Sequence, residues 1–282
     1  MIKLNDTFVE LEPFPDGTLH LSPNINELGS QVSIVWKYQG DDEMAAVMFL
    51  KRHLDRLGFR NVRLEMPYIP NARQDRVKDK SDVFTLKYFA EFINSLNFSE
   101  VVVLDPHSSV SEALFNNIRV VRPIKYIHEA LDLINATRNE NNSTNQLIAF
   151  FPDEGAMKRY SSMFDMPYAF GIKERDWKTG RIEGLSVISP AGVSISGNDV
   201  LIIDDISSKG GTFYYSAQEL KSLGAKDIYL YITHCEESIL YGEIFRSGLI
   251  ERVFTTNSIF DDGAVDEARR MGVAEKIHLM NC

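Results

Sequence analysis

Short apolar runs rich in β-branched and aromatic residues alternate along this chain with segments whose apolar residues recur every three or four positions. No other feature narrows the fold as much, because that alternation marks βαβ units wound into a mainly parallel sheet. The pattern predicts strands at 32–38, 62–66, 101–105, 147–151, 200–204, 228–233 and 252–255, and a strand-like stretch at 275–280. Helix-period segments fall at 42–57, 84–96, 126–136, 155–163, 211–223 and 239–246. Both halves carry the alternation, and between them residues 137–145 are almost entirely polar and without period. Two α/β domains are therefore expected, at 1–140 and 141–282, which suits 282 residues at roughly 150 per domain. In such sheets ligands bind outside the carboxyl ends of the strands, so the loops that follow strands are the places to look for chemistry.

Composition removes several classes of function. Against 30 Lys and Arg stand 40 Asp and Glu, a formal charge of −10, which disfavours a broad nucleic-acid surface because phosphates would be repelled. Apolar runs such as 44–50 are far shorter than the roughly 20 residues that cross a bilayer, and the first residues lack the apolar stretch of a signal peptide. No membrane partner is expected, and the chain reads as cytoplasmic. Cys235 and Cys282 are far apart in sequence and fit no disulfide framework or zinc knuckle, so both are expected as free thiols.

The most informative segment is Val200-Leu201-Ile202-Ile203-Asp204-Asp205-Ile206-Ser207-Ser208-Lys209-Gly210-Gly211-Thr212. A buried strand delivers two carboxylates, and a glycine turn then opens a helix whose first N–H groups form an anion cradle. The carboxylates would repel a phosphate set against them, so their partners are sugar hydroxyls or a divalent cation beside the cradle. A phosphorylated sugar satisfies both halves. Neither a P-loop nor a dinucleotide GxGxxG is present.

Three further segments accompany this loop: Pro67-Tyr68-Ile69-Pro70-Asn71-Ala72-Arg73-Gln74-Asp75-Arg76, Val103-Leu104-Asp105-Pro106-His107-Ser108 and Phe14-Pro15-Asp16-Gly17. Strand, paired acids and glycine turn resemble the ribose-phosphate loop of type I phosphoribosyltransferase folds. With the three segments, in their order along the chain, the sequence resembles the phosphoribosyl pyrophosphate (PRPP) synthetases over nearly its whole length. Ala-Arg-Gln-Asp-Arg carries the most specific part of the likeness; the Phe-x-Asp-Gly turn alone would carry little.

The resemblance implies two similar phosphoribosyltransferase-type domains, each with a mainly parallel sheet flanked by helices, and an active site between them. It implies a Mg2+-dependent diphosphokinase that moves the terminal two phosphates of ATP to the anomeric hydroxyl of ribose 5-phosphate, leaving AMP. On that reading Arg73, Gln74 and Asp75 bind ATP, with Phe14 and Asp16 at its adenine end. His107 lies near metal and ATP phosphates, and Asp153 supports a metal site, although aspartate there also suits a helix N-cap. Lys173 and Arg175 match the family's lysine-x-arginine pair and, two apart in an extended segment, would face one side toward the transferred diphosphate. Trp177-Lys178-Thr179-Gly180 reads as the turn of a closing hairpin. Asp204 and Asp205 hold ribose hydroxyls, and Ser207, Ser208, Lys209, Gly210, Gly211 and Thr212 cradle the 5-phosphoryl end. A homo-oligomer, dimer or hexamer, is implied because the Phe14 turn would complete a neighbour's ATP site.

Two departures stand out. Ser208-Lys209 replaces the family's usual Asp-Thr, which on a formal count adds about two positive units to the loop. Either Lys209 simply points to solvent, or it meets an acceptor with more phosphate, such as ADP-ribose in NAD synthesis. Thr18 follows Asp16-Gly17 where the family usually has glutamate, which puts the adenine contact in question. A noncatalytic partner subunit would also fit the altered loop, whereas a phosphoribosyltransferase that consumes PRPP would have no use for Ala72-Arg73-Gln74-Asp75-Arg76.

Overall fold

The computed structural model describes residues 1–26, 28–175 and 182–282, without the side chains of 173–185. The turn expected at Trp177-Lys178-Thr179-Gly180 lies outside the described residues. The chain divides into two compact units, Met1–Arg122 and Pro123–Cys282.

The first unit runs β1 (Ile2–Leu4), β2 (Thr7–Phe8), β3 (Glu12–Pro13), β4 (Leu19–His20), β5 (Gln31–Trp36), α1 (Glu43–Arg56), β6 (Asn61–Glu65), α2 (Thr85–Ser95), β7 (Val101–Leu104), α3 (Ser109–Leu114) and β8 (Ile118–Val121). Its six-stranded sheet has the order β2-β1-β5-β6-β7-β8, parallel from β5 to β8, while β3 and β4 form a separate hairpin. Consecutive parallel neighbours joined by right-handed crossovers put the connecting helices on one face. Burial follows from this: β5 and β6 alternate, with Val32, Ile34, Trp36, Val62 and Leu64 inside. Helix α1 answers with Ala46, Val47, Leu50 and Leu54, and α2 with Leu86, Phe89, Ala90 and Ile93, each a stripe at helical spacing.

The second unit runs α4 (Ile124–Glu140), β9 (Leu147–Phe151), α5 (Glu154–Tyr160), β10 (Tyr168–Arg175), β11 (Ile182–Ile188), β12 (Asp199–Ser207), α6 (Gly211–Ser222), β13 (Ile228–Cys235), a 3-10 turn (Glu237–Tyr241), β14 (Arg252–Thr256), α7 (Asp262–Arg270), a second 3-10 turn (Ala274–Lys276) and β15 (Ile277–Met280). The sheet order is β11-β10-β9-β12-β13-β14-β15, parallel except for the β10–β11 pair. From β9 the chain steps outward to β10 on one side, then returns to lay β12 on the other. That reversal sends connections to both faces, and β9 and β13 are buried at every residue.

Three sequence expectations are corrected. The division between units falls at 122/123, eighteen residues before the expected 140/141. Four residues of the supposed linker, 137–140, complete α4, because Arg138 has a tertiary partner: its Nε donates to Asp199 Oδ2 at 2.8 Å. The helix expected at 239–246 is only the short 3-10 turn Glu237–Tyr241, which ends at Gly242. Asp199 is 1% exposed, so Arg138→Met would strand a buried charge and is expected to cost about 3 kcal/mol in chemical denaturation. A loss under about 1 kcal/mol would show that α4 is not an integral part of the second unit.

Candidate functional site

In the first unit the ATP-segment candidates sit on neighbouring loops. Strands β6 and β7 lie side by side, and Leu104 N donates to Pro67 O at 3.0 Å, so the loops after them start together. Both contain left-handed backbone at short polar residues, Asn71 (φ 63°) and Asp105 (φ 43°), a conformation Asn and Asp tolerate better than most. Arg73 and Gln74 are exposed, and Gln74 accepts from Thr85 Oγ1 at 2.6 Å, tying the loop to the start of α2. Asp75 is 4% exposed and takes the Arg76 guanidinium at 2.9 Å. Burial pushes its carboxyl up, but bonds from Arg76 and Ser108, with Arg76 and His107 nearby, prevail and hold it below the usual carboxylate range. The structure thus brings Asp75 together with His107 and turns the Asp75 carboxylate toward protein partners.

The Phe14 turn caps the β3–β4 hairpin. Phe14 is half exposed and its ring lies 5.2 Å from that of His20. Thr18, the residue that departs from the family, donates from N and Oγ1 to Asp16 Oδ1 at 3.0 and 2.7 Å. Those two bonds fix the Asp16 side chain and hold its carboxyl below its ordinary range. The departure therefore supplies a contact of its own within the turn.

In the second unit the candidates gather at the reversal between β9 and β12. Such a switch point leaves a crevice at the carboxyl ends of the two strands, which is where open α/β sheets bind ligands. At the end of β9, Asp153 caps α5 by accepting from Ala156 N at 3.0 Å, the helix-cap role left open by the sequence. At the end of β12, Asp204, Ile206 and Ser208 are half-buried, while Asp205 and Ser207 are buried. The two acids consequently differ. Asp205 is 3% exposed at its side chain and paired with Arg159 of α5 at 2.7 Å. Asp204 is raised well above the usual carboxylate range, first by desolvation and then by the charges of Asp205 and Asp153. A cluster of carboxylates that resists ionisation attracts a cation or a proton donor. Among the described residues, however, no group of three or more His, Cys, Asp and Glu is arranged to hold a metal.

Strand β10 pairs with β9 only as far as Phe170 opposite Phe151, then continues to Arg175 paired with β11. Lys173 and Arg175 therefore lie on a two-stranded ribbon that runs past the carboxyl end of β9. Pairing shifts register between Glu174 and Arg175, with the extra residue on β11. The side chains of Lys173 and Arg175 are outside the described residues.

The cradle, residues 207–212, leads into α6 through Gly210 at φ 76°. A side chain there would be strained in conformation and would also meet Ile244 Cγ1 at 2.5 Å. Gly242, from the same segment as Ile244, lies against the loop where a Cβ would come within 2.0 Å of the Lys209 carbonyl oxygen. Lys209 itself is exposed and has no ion pair among the described residues. Ser208 Oγ donates to Glu236 Oε2 at 2.5 Å, and Glu236 N donates to Ser207 O at 2.9 Å. A carboxylate from the end of β13 thus returns beside position 208, next to the Ser208-Lys209 pair.

Arg159, Glu236 and Gly242 were not among the sequence candidates. Glu236 follows directly on a strand; Arg159 lies in the last turn of α5 and Gly242 inside the segment expected as a helix, where nothing local marks them.

No family model matches the chain. Among curated proteins, it is 29% identical over 249 residues to the ribose-phosphate pyrophosphokinase of Thermococcus kodakarensis, covering 87% of this chain and 81% of that one. To the same-named protein of Pyrococcus abyssi it is 27% identical over 248 residues, covering 87% and 79%. Among solved structures, phosphoribosylpyrophosphate synthetase from Mycobacterium smegmatis superposes with a TM-score of 0.73 at 17% identity, over 97% of this chain and 86% of that one, a likeness of fold. In sequence, over most of its length, this chain is similar to ribose-phosphate pyrophosphokinases, and in fold, over nearly all of it, to a phosphoribosylpyrophosphate synthetase.

Proposed function

We propose that the protein is an ATP-dependent diphosphokinase that transfers the β,γ-diphosphate of ATP to the anomeric hydroxyl of ribose 5-phosphate, yielding PRPP and AMP. The observation that carries this reading is the switch point between β9 and β12, which sets Asp204 beside a loop opening into the start of α6. Sugar hydroxyls suit the carboxylate, and a 5-phosphate suits the cradle of N–H and hydroxyl donors. Arg73 and Gln74 supply exposed polar groups for ATP, with Asp75 and His107 ordering the loops beside them. Phe14 and Asp16 serve the adenine end of a neighbouring subunit's nucleotide in a homo-oligomer, a role supported by the half-exposed Phe14 ring. Lys173 and Arg175 are assigned to the diphosphate in flight, where fixed cations stabilise charge gathered on the transferring group.

Mg2+ fits the second unit. Asp204 and Asp153 offer hard oxygen donors whose mutual repulsion a cation would relieve. When bound, Mg2+ would neutralise phosphate charge and help to orient the diphosphate.

A second reading, with ADP-ribose as acceptor, is favoured by the exposed Lys209 and by Tyr215, 56% exposed on the first turns of α6, where an adenine could stack. AMP release from ATP and Mg2+ with each acceptor in parallel, with mass detection of product, separates the two. PRPP with ribose 5-phosphate alone is the expected result. Preference for ADP-ribose would give the acceptor role to Lys209 and Tyr215, and no AMP with either would favour a noncatalytic partner subunit.

A further inference from the structure

The cradle at 207–212 is built almost wholly of donors: the first N–H groups of α6, hydroxyls and Lys209. Ser207 Oγ already donates to Ser208 O at 3.0 Å, and Ser208 donates to a carboxylate. The only proton of the Ser208 hydroxyl lies on the 2.5 Å bond to Glu236 Oε2, the same oxygen that accepts from Ser238 Oγ at 3.2 Å. A serine hydroxyl has one proton and two lone pairs, so with the proton committed to a carboxylate its oxygen presents acceptor character alone. A phosphate oxygen, also an acceptor, is repelled at that point. A sugar hydroxyl is received. Ser208 lies just past the end of β12, four residues after Asp204.

We infer that Glu236 is a positioning residue for the acceptor: it fixes Ser208 as a hydrogen-bond acceptor, so that the cradle takes the pentose by a hydroxyl at this point and confines phosphate to the α6 side. The inference rests on the function proposed above. Three further contacts hold the pair in place. Glu236 N binds Ser207 O, Gly242 backs the Lys209 carbonyl, and Ile239 and Ile244 pack on Gly210. The segment that begins at Glu236 therefore templates the loop as well as orienting its serine.

The test is a set of Ser208 and Glu236 variants assayed for KM of ribose 5-phosphate and of ATP, with calorimetric binding of ribose 5-phosphate to the full protein read independently. Glu236→Ala and Ser208→Ala are each expected to raise the acceptor KM about tenfold, the change falling far less on KM for ATP, and their combination to be little worse than either. Ser208→Asp alone places two carboxylates together and should be the weakest binder. Ser208→Asp with Glu236→Gln moves the charge into the loop with an amide donor behind it, and should recover to within about threefold of wild type. A role limited to folding would show no such recovery. Additive single effects, equal shifts in both KM values, or a charge-swapped variant no better than Ser208→Asp would overturn the inference. Wild-type protein that binds ribose 5-phosphate without releasing AMP would overturn the proposed reaction instead, and the binding series would still read the Glu236 relay.

Discussion

Asp204→Asn is expected to melt at a higher temperature than the wild type at neutral pH while losing acceptor affinity by about 10- to 100-fold. The two effects have one origin. Desolvation and the charges of Asp205 and Asp153 raise the Asp204 carboxyl well above its ordinary range, so the folded state resists the ionised form. For a carboxyl raised on folding, the favourable contribution to stability is complete below the unfolded value near 3.8 and is lost as pH rises through the higher folded one. At neutral pH Asp204 therefore weakens the second unit, and a neutral isostere removes the penalty. The gap in melting temperature between variant and wild type should close as the pH is lowered toward 4. Mg2+ with ribose 5-phosphate should raise the melting temperature of the wild type more than that of the variant, because ligands stabilise the state they bind. The affinity loss corresponds to the roughly 1.5–3 kcal/mol of a hydrogen bond to a charged group. Equal or lower thermal stability of Asp204→Asn at pH 7 would show that the site carries no electrostatic strain.

The second large effect is expected at Gly242. Its added methyl in Gly242→Ala would stand 2.0 Å from the Lys209 carbonyl oxygen and 3.0 Å from the carbonyl carbon, both backbone atoms that no rotamer change can clear. The loop must move, taking with it the turn at Gly210 and the Ser208–Glu236 bond. Acceptor KM should rise at least tenfold, whereas KM for ATP, whose assigned residues lie in the first unit, should stay within about twofold. Because the contact lies outside the sheet, far-ultraviolet circular dichroism should remain that of the wild type. Global unfolding would count against a local clamp, and unchanged kinetics would show that the loop tolerates a displacement of about 1 Å.

Both predictions depend on facts that only tertiary contact supplies. Asp204 and Asp205 are adjacent and chemically identical in sequence, yet Arg159 pairs with Asp205 from α5, while Asp204 is held up by desolvation and by the charges of Asp205 and Asp153. The reading of Ser208 and Lys209 as a loop made more positive was sound residue by residue. What it did not show is that Glu236, 28 positions later in the chain, returns to accept from Ser208. Arg138 was placed in a linker for its polar neighbours, and its ion pair to Asp199 instead fastens α4 to the second sheet.

What the sequence determined by itself was whatever depends on local period and local turn chemistry. The alternation of strands and helices, the burial of β12, the helical period of α1 and α2, and the glycine turn into α6 were all legible, since each follows from side-chain spacing and backbone freedom over a few residues. The order of strands was not. Parallel neighbours are joined by long crossovers, and no short-range signal records on which side of β9 the next strand is laid. That choice makes the first sheet wind in one direction and the second reverse, and the reversal brings the carboxyl end of β9, with Asp153, beside that of β12, with Asp204. The tertiary structure alone decided which carboxylate has an arginine partner, which serine donates to a carboxylate, and which glycine a neighbouring carbonyl requires. Each is settled by groups distant in sequence and a few ångströms apart in space.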